Sequence, residues 1–290
     1  MDVPKHNAYV DLHCHSTASD GTLSPTELVR LAKDSGLSAL ALTDHDTVAG
    51  TAEAASAAGS LSLDFLPAIE ISCQYPHPGT MHLLGYGIDP NSPVLRDLTQ
   101  RLIAARDNRN PRIIARLNEL GVAITMDEVE REAGGDVVGR PHIAAVLVRK
   151  GYVSSIKHAF DKFLGTTGLA YFDKERLTAR QALDLVHQSG GLPVLAHPCQ
   201  LRTTNDAELE RVVKDLVDLG LAGIETIHSD HDASMVERYT RLAERYGLLK
   251  TGGSDFHGGN KKDIALGIAN GRRIPREFFD ALVERCGRKG

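Results

Sequence analysis

The sequence predicts an α/β fold in which a mostly parallel, barrel-like sheet is interrupted by a helical insertion. Short apolar runs alternate with helical patterns over residues 1–92, the alternation stops over 93–174, and it resumes over 175–290. Alternating strands and helices are typical of parallel sheets with helices packed on their outer side. We therefore divide the chain into a first barrel part (1–92), an insertion (93–174) and a second barrel part (175–290).

The first barrel part opens with an apolar run at 8–10, which predicts a short strand. A capping box from Ser24 to Glu27, with Pro25 at the first helical position, predicts the start of a helix. The continuous apolar run 39–42 predicts a strand buried on both faces. A helix over 48–58 and strands over 61–71 and 81–86 follow, so the predicted order is β-α-β-α-β-β.

The insertion is distinguished by leucines that repeat at the spacing of one helix face over 95–103. It also contains the run Gly139-Arg140-Pro141-His142. The second barrel part begins with a capping box from Thr178 to Gln181. Beyond it we predict strands over 192–196, 223–227 and 248–252 and helices over 206–219, 233–246 and 275–285.

The composition excludes several classes of protein. The chain has 290 residues and a formal net charge of −5, which argues against extended binding of duplex DNA but not against a small nucleotide or a short single strand. No two of its four cysteines form a CxxC pair, so we expect neither a disulfide scaffold nor a zinc site with thiolate ligands. No apolar stretch is long enough for a membrane span and no signal peptide is visible, so we expect a cytoplasmic enzyme.

Histidines and carboxylates recur where the predicted strands end. His13 and His15 alternate on the first strand, so their side chains point to the same face. Taken alone, this pair is better explained as solvated or core histidines, because the pattern is short and common. In a parallel barrel, however, the carboxyl ends of the strands share one face, where active sites occur. The residues at or just past predicted strand ends are His13, His15, His45, Glu70, His82, His197, His228, Asp255 and His257.

This collection of side chains predicts a cluster of divalent metal ions. Imidazole and carboxylate ligands without thiolates favour Mn, Fe or Zn over Ca or Cu(I). The set exceeds the needs of one tetrahedral ion, so we expect two or three ions, with Mn as the first choice.

The motifs DLHCHSTASDG, LTDHD, MHLLGYG, LAHP and GGSDFH, together with the strand-end Glu70, resemble the PHP (polymerase and histidinol phosphatase) family. The resemblance covers the two barrel parts and implies a distorted (β/α)7 barrel, the PHP fold, with a small helical insertion. Within the family the chain is most similar to metal-dependent phosphoesterases that act on nucleoside 3′,5′-bisphosphates and short RNA.

The resemblance also implies roles for single residues. Asp20 stands where some relatives have histidine, which predicts weaker binding of a third ion. Asp11 would fix a histidine tautomer or only cap its strand, and Asp44 and Asp46 would support the ligands or only form turns. The implied ligands are His13, His15, Glu70 and Asp255 for a first ion, Glu70, His82 and His197 for a second, and Asp20, His45 and His257 for the third.

Substrate contacts are implied for three further residues. Arg140 and His142 resemble the substrate-contacting motif of the insertion, and His228 resembles a histidine that faces phosphate. Arginine offers paired donors suited to phosphate. The residues alone leave open a surface ion pair for Arg140 and a helix-start position for His142. We expect the loop at 261–262, with its two lysines, to be solvated.

These features predict a phosphoesterase that removes the 3′-phosphate of nucleoside 3′,5′-bisphosphates, and acts on short 5′-phosphorylated RNA, by attack of a metal-bound hydroxide. Water, His197 or His228 would protonate the leaving group. Three alternatives remain open. An amidohydrolase-type deaminase is disfavoured because no lysine ends a predicted barrel strand. A non-catalytic PHP module is disfavoured because the chain retains the implied metal ligands. A histidinol phosphate phosphatase is disfavoured only by family analogy, through the insertion. The oligomeric state is not predicted.

Overall fold

The computed structural model describes residues 8–133, 138–173 and 176–287, without the side chain of Arg106. Within these residues one nine-stranded sheet forms the centre of the molecule. Its strands are β1 (Tyr9–Asp11), β2 (Ala39–Leu42), β3 (Asp64–Cys73), β4 (Met81–Tyr86), β5 (Leu192–Leu195), β6 (Gly223–Ile227), β7 (Leu249–Gly252), β8 (Ile268–Ala269) and β9 (Arg272–Pro275).

Helices cover the outside of the sheet and make up most of the insertion. Both predicted capping boxes are present, at Ser24 and at Thr178. The described helices are α1 (Pro25–Asp34), α2 (Thr51–Leu61), α3 (Pro93–Glu119), α4 (Met126–Ala133), α5 (Arg140–Arg149), α6 (Ile156–Ala159), α7 (Ala179–Gln188), α8 (Asp206–Asp218), α9 (Ala233–Tyr246) and α10 (Arg276–Gly287). A π-helical turn (Phe160–Leu164) continues α6.

The sheet is a nearly closed barrel, which confirms the predicted fold class. Its strand order is β7-β6-β5-β4-β3-β2-β1-β9-β8. Past their ends, β1 and β7 meet: the Leu12 amide donates to Gly252 O at 3.3 Å, and the Asp255 amide donates to His13 O at 2.8 Å. Gly253 permits this approach, because a Cβ there would lie 2.2 Å from the Cβ of His13. The closure brings His13 and Asp255 side by side.

Two features of the sheet differ from the prediction. Strand β4 pairs antiparallel with both β3 and β5, because only a short turn separates it from β3 and a parallel return would need a longer crossover. His82 therefore lies at the beginning of its strand, not at its carboxyl end as expected. The β8–β9 hairpin, which adds β9 antiparallel to β1, was not predicted because β8 has only two residues and β9 begins with two arginines.

The apolar interior consists of clusters on the two sides of the barrel wall and a separate cluster within the insertion. Strand β2 is buried along its whole length, as its apolar run predicts. Within the insertion, Ile113, Leu117, Val129, Ile143 and Leu147 pack on one another. The helical segment thus has its own core. The predicted limit between residues 174 and 175 lies outside the described residues, so the division of the chain stays a prediction.

Candidate metal centre

The chain after β1 supplies the first two imidazoles. His13 and His15 are both fully buried and lie on the same side of the extended chain. Cys14 points the other way, and its Sγ donates to Ala41 O at 3.3 Å. This is the alternation expected of extended backbone, and it aims both imidazoles at the middle of the barrel mouth.

Glu70 is the centre of the cluster, and its two oxygens face different histidines. Oε1 lies 2.7 Å from His82 Nδ1 and 3.0 Å from His197 Nε2. Oε2 lies 3.4 Å from His13 Nε2 and 3.3 Å from His15 Nε2. A carboxylate with separate imidazole pairs on its two oxygens has the arrangement needed to bridge two ions.

Asp255 completes the group around Glu70 Oε2. Its Oδ1 lies 3.2 Å from His15 Nε2 and 3.6 Å from His13 Nε2. The residue has a φ of +57°, a left-handed conformation that is unfavourable for a non-glycine side chain. Strained backbone of this kind is concentrated at functional sites. Here it turns the carboxylate towards the two histidines.

A third group lies beside the first. Asp20 Oδ1 is 3.3 Å from His257 Nε2, and Asp20 Oδ2 is 3.9 Å from His45 Nε2. His257 Nδ1 is 2.8 Å from Asp255 O, which leaves Nε2 directed at Asp20. His45 also bridges the two groups, because its Nδ1 lies 3.0 Å from Glu70 Oε2. The structure therefore brings all nine predicted ligands into one cluster.

The donor set fits divalent ions of the Mn, Fe or Zn class. Among the described residues, His13 Nε2, His15 Nε2 and Glu70 Oε2 are buried without a hydrogen-bond partner, which is costly unless something else satisfies them. Burial lowers the pKa of His15 to about 3, and burial likewise lowers the pKa of His197 to about 4. Both imidazoles are then neutral near pH 7, the form in which imidazole binds a metal.

A cavity of about 320 Å³ opens onto this cluster. Asp20, His45 and His82 of the cluster line this cavity, and so do three arginines, Arg109, Arg140 and Arg176. Arg140 lies at the start of α5, where its Nη1 donates to Leu164 O at 2.8 Å and its guanidinium stacks on Tyr171. Arg109 and Arg140 belong to the insertion (93–174), so the insertion supplies a cationic wall of a cavity that imidazoles of the cluster also line.

The other two predicted substrate contacts do not line this cavity. His142 is buried, and its Nδ1 accepts from the Gly139 amide at 3.0 Å, so it closes the start of α5. This is the helix-start position that the sequence left open. His228 lies behind Asp255, with its Nε2 3.4 Å from Asp255 Oδ2. Its Nδ1 accepts from the Asp230 amide at 3.0 Å.

Comparisons with known proteins agree with this geometry. A family model described as the PHP domain matches residues 11–219. The chain belongs to the PHP family. It is 34% identical, over 86% of its length and 87% of the relative, to a 3′,5′-nucleoside bisphosphate phosphatase of Chromobacterium violaceum. It is 35% identical to a 5′-3′ exoribonuclease of Haemophilus influenzae, over 85% of the chain and 89% of the relative.

A solved structure supports the same membership. A metal-dependent phosphoesterase from Bifidobacterium adolescentis superposes with a TM-score of 0.86 at 30% identity, covering 97% of this chain and 98% of the other. The chain is therefore a hydrolase of phosphate esters, in a metal-dependent family. No helix among the described residues has the length and apolar character needed to cross a membrane.

Sequence reasoning missed one buried carboxylate of this PHP site. Glu225 lies on β6, is fully buried, and has its Oε1 3.0 Å from His13 Nδ1. Its Oε2 accepts from the His197 amide at 2.7 Å. Although burial alone would raise its pKa, the neighbouring imidazoles, His13 first, lower the pKa of Glu225 to about 2. A glutamate inside an otherwise buried strand was the available signal.

The three aspartates for which a supporting role and a local role were left open have clear partners. Among the described residues, Asp11 accepts from the amides of His13 and Ser254 and from no imidazole, so it ties β1 to the turn after β7, which agrees with the strand-cap alternative and not with the fixing of a tautomer. Asp44 accepts from Ser16 and Ser19 in the loop that carries Asp20. Asp46 accepts from the Ser72 amide beside β3 at 2.9 Å.

The lysine loop also differs from the prediction. Lys261 was expected to be solvated, but its Nζ forms an ion pair with Asp255 Oδ2. The side chain is about half exposed, so the ammonium lies at the rim of the site. The contact arises because the Gly258–Lys261 turn folds back over the Asp255–His257 segment, a path that sequence spacing does not reveal.

Proposed function

We propose that this PHP protein removes the 3′-phosphate of nucleoside 3′,5′-bisphosphates and, by the same chemistry, acts on short 5′-phosphorylated RNA. The observation that carries the proposal is the cavity lined by imidazoles and a carboxylate of the cluster and also by three arginines. Such a cavity suits a substrate with two anionic groups, one to be cleaved and one to be held. The names of the two curated relatives support the same substrate class.

The arginine wall would hold the phosphate that is not cleaved. The guanidinium of Arg140 is already positioned by Leu164 O and by Tyr171, so little freedom is lost when it binds a ligand. Tyr75 and Phe160 line the same cavity and offer aromatic surface on which a base can stack. A nucleotide would then span the cavity from the insertion to the barrel.

The barrel wall would hold the ester that is cleaved. We assign one ion to His13, His15, Glu70 and Asp255, a second to Glu70, His82 and His197, and a third to Asp20, His45 and His257. Bound divalent ions supply positive charge for the phosphoryl oxygens and activate a water as nucleophile. We propose Mn as the physiological ion, because imidazole-rich sites favour it over Mg, which prefers oxygen ligands and retained water.

His197 and His228 were the candidate proton donors for the leaving group. Nε2 of His197 contacts Glu70 Oε1, and His197 is already assigned as a ligand of the second ion. His228 accepts a hydrogen bond at Nδ1, so its proton is on Nε2, from which it can donate a hydrogen bond to Asp255 or to a phosphoryl oxygen. We therefore propose that water protonates the leaving group and that His228 serves as a hydrogen-bond donor.

A phosphatase screen in Mn tests the proposal. Adenosine 3′,5′-bisphosphate should be hydrolysed at its 3′-phosphate with a higher kcat/KM than 3′-AMP, 5′-AMP or histidinol phosphate. Short 5′-phosphorylated RNA should be shortened. A preference for histidinol phosphate, or deamination of a nucleoside without phosphate release, would replace this proposal by the corresponding alternative.

We further propose that duplex DNA is not a substrate and that the protein acts in the cytoplasm. A cavity of about 320 Å³ and a net charge of −5 are poorly matched to a duplex. A gel-shift titration with duplex and single-stranded oligonucleotides tests the first point, and fractionation of cells tests the second.

A further inference from the structure

We propose that Glu225 is a positioning residue that sets the tautomer of His13 and links the ligands of two metal ions. The inference rests on the proposed metal assignment but concerns a residue outside the ligand set. Glu225 and His13 are both fully buried, so water does not compete for their contact. They come from β6 and from the chain after β1, on separate parts of the barrel.

The contact at Oε1 determines which nitrogen of His13 is free. An ionised carboxylate only accepts hydrogen bonds, so the His13 nitrogen 3.0 Å away, Nδ1, must carry a proton. The other nitrogen, Nε2, then has a free lone pair. It points at Glu70 Oε2 and Asp255 Oδ1, 3.4 and 3.6 Å away, where the first ion is assigned. A carboxylate behind a ligating histidine orients the ring and raises its basicity.

The contact at Oε2 holds the second ligand. The His197 amide donates to it at 2.7 Å, immediately after β5. His197 has φ +25° and ψ 68°, a backbone conformation that requires support from its surroundings. Glu225 thus contacts a ligand of the first ion through one oxygen and the backbone of a ligand of the second through the other. It does not contact Asp20, His45 or His257 in any described hydrogen bond or ion pair.

Glu225→Gln separates this role from mere packing. The amide keeps the size of the side chain but has one accepting oxygen, whereas both partners of Glu225 donate. If the oxygen stays on the His197 amide, the NH₂ group faces His13 Nδ1 and moves its proton to Nε2, which blocks the metal lone pair. If the amide is reversed, two donors face each other at His197. Either arrangement disfavours a bound ion.

Thr226→Val is the matched control. Thr226 is the next residue of β6, is buried, and donates through Oγ1 to Thr251 O at 3.2 Å. Its backbone carbonyl accepts from His231 Nδ1, a contact that the substitution retains, and no described hydrogen bond joins its side chain to an imidazole. The substitution therefore removes a buried polar contact from the same strand and leaves Glu225 intact. Its cost in stability should resemble that of Glu225→Gln.

The experiment measures binding of Mn to metal-free protein by calorimetry, for the wild type and both variants. Glu225→Gln should weaken at least one ion per chain by about 10–100-fold, as changes behind a ligating histidine do, and Thr226→Val should bind as the wild type does. In the Zn-loaded protein, ¹H–¹⁵N imidazole spectra should show a His13 Nδ1–H in the wild type that is absent in Glu225→Gln. Glu225→Asp, which retains two acceptors, should restore most of the affinity.

Unchanged Mn affinity in Glu225→Gln, or equal losses in Glu225→Gln and Thr226→Val, would overturn the inference. If Glu225→Gln does not fold, the imidazole spectrum of the Zn-loaded wild type decides: a His13 that carries its proton on Nε2 and not on Nδ1 would refute the role. Wild-type protein that binds Mn but does not hydrolyse phosphate esters would refute the proposed function and leave this comparison valid.

Discussion

The two walls of the cavity are built in different ways. On the barrel wall the charged side chains are mostly buried, belong to strand ends and contact one another, as Glu70 does with five imidazoles at 3.4 Å or less. On the insertion wall Arg140 is half-buried, stands at a helix start, donates a hydrogen bond to Leu164 O and stacks on Tyr171. The comparison teaches that strand ends hold their side chains in one dense cluster, while a helical segment presents a side chain with fewer neighbours; in the proposed function the first would hold ions and the second would choose the substrate.

Removal of the ions should have the largest effect, because every proposed step on the barrel wall depends on their charge. Exhaustive chelation should abolish phosphatase activity, and Mn should restore it at least as well as Mg. Activity is measured with adenosine 3′,5′-bisphosphate, and metal content is measured on the same samples. Full activity in verified metal-free protein would show that the barrel wall works without ions.

Glu70→Gln tests the centre of the barrel wall. The amide preserves size but removes the negative charge that would offset two cations, so we expect a loss of roughly a hundredfold in turnover. Glu130→Gln, an exposed carboxylate of the insertion, is the control and should be near wild type. Steady-state kinetics at saturating Mn decide the point. Near-native turnover in Glu70→Gln would make Glu70 a structural residue.

Arg140→Ala tests the insertion wall. Losing one charge-assisted contact costs about 1.5–3 kcal/mol, which corresponds to a decrease in kcat/KM of roughly ten- to a hundredfold. We expect this loss on a 3′,5′-bisphosphate and little change on a 3′-monophosphate, which lacks the held group. Arg116→Ala, which removes an exposed insertion arginine paired with Glu119, is the control. Equal losses on the two substrates would assign Arg140 to folding or to the metal centre.

The smallest expected effect on the barrel wall is the release of a proton when a metal ion binds. Burial alone would lower the pKa of His45, but the carboxylates of Glu70 and Asp20 raise it to about 9 in the metal-free protein. A ligating imidazole must be neutral, so binding below pH 9 releases this proton, and the apparent Mn affinity falls as the pH falls, by about tenfold per pH unit for one proton.

Calorimetry in two buffers of different ionisation enthalpy counts the protons released. His45→Asn should release about one proton fewer per chain than the wild type near pH 7.5. The control is His187→Asn. The imidazole of His187 contacts Gly220 O, outside the cluster, so its replacement should leave the number of released protons unchanged. Identical counts in wild type and His45→Asn would show that His45 is already neutral before the metal binds.

The comparison of the two walls also explains which site residues could be predicted from the sequence. The barrel ligands could be predicted because a regular fold places the residues at its strand ends on one face, so local patterns such as His13-Cys14-His15 are sufficient. His82 was assigned to the correct cluster with the wrong strand polarity, since an antiparallel β4 brings its first residues to that face. The insertion has no such rule, and His142 proved to be a helix-start residue that does not line the cavity.

By itself, the sequence determined the α/β barrel, the two predicted capping boxes, the helical character of the insertion and the membership of the imidazole–carboxylate cluster, because periodicity and capping are local and the strand ends of a barrel converge. Only the tertiary structure decided which side chains support that cluster. Glu225 meets His13 across 212 residues of chain, and Lys261 meets Asp255 through a folded-back turn. Such contacts depend on the closure of the barrel and on loop paths, and no local pattern of residues encodes either of these.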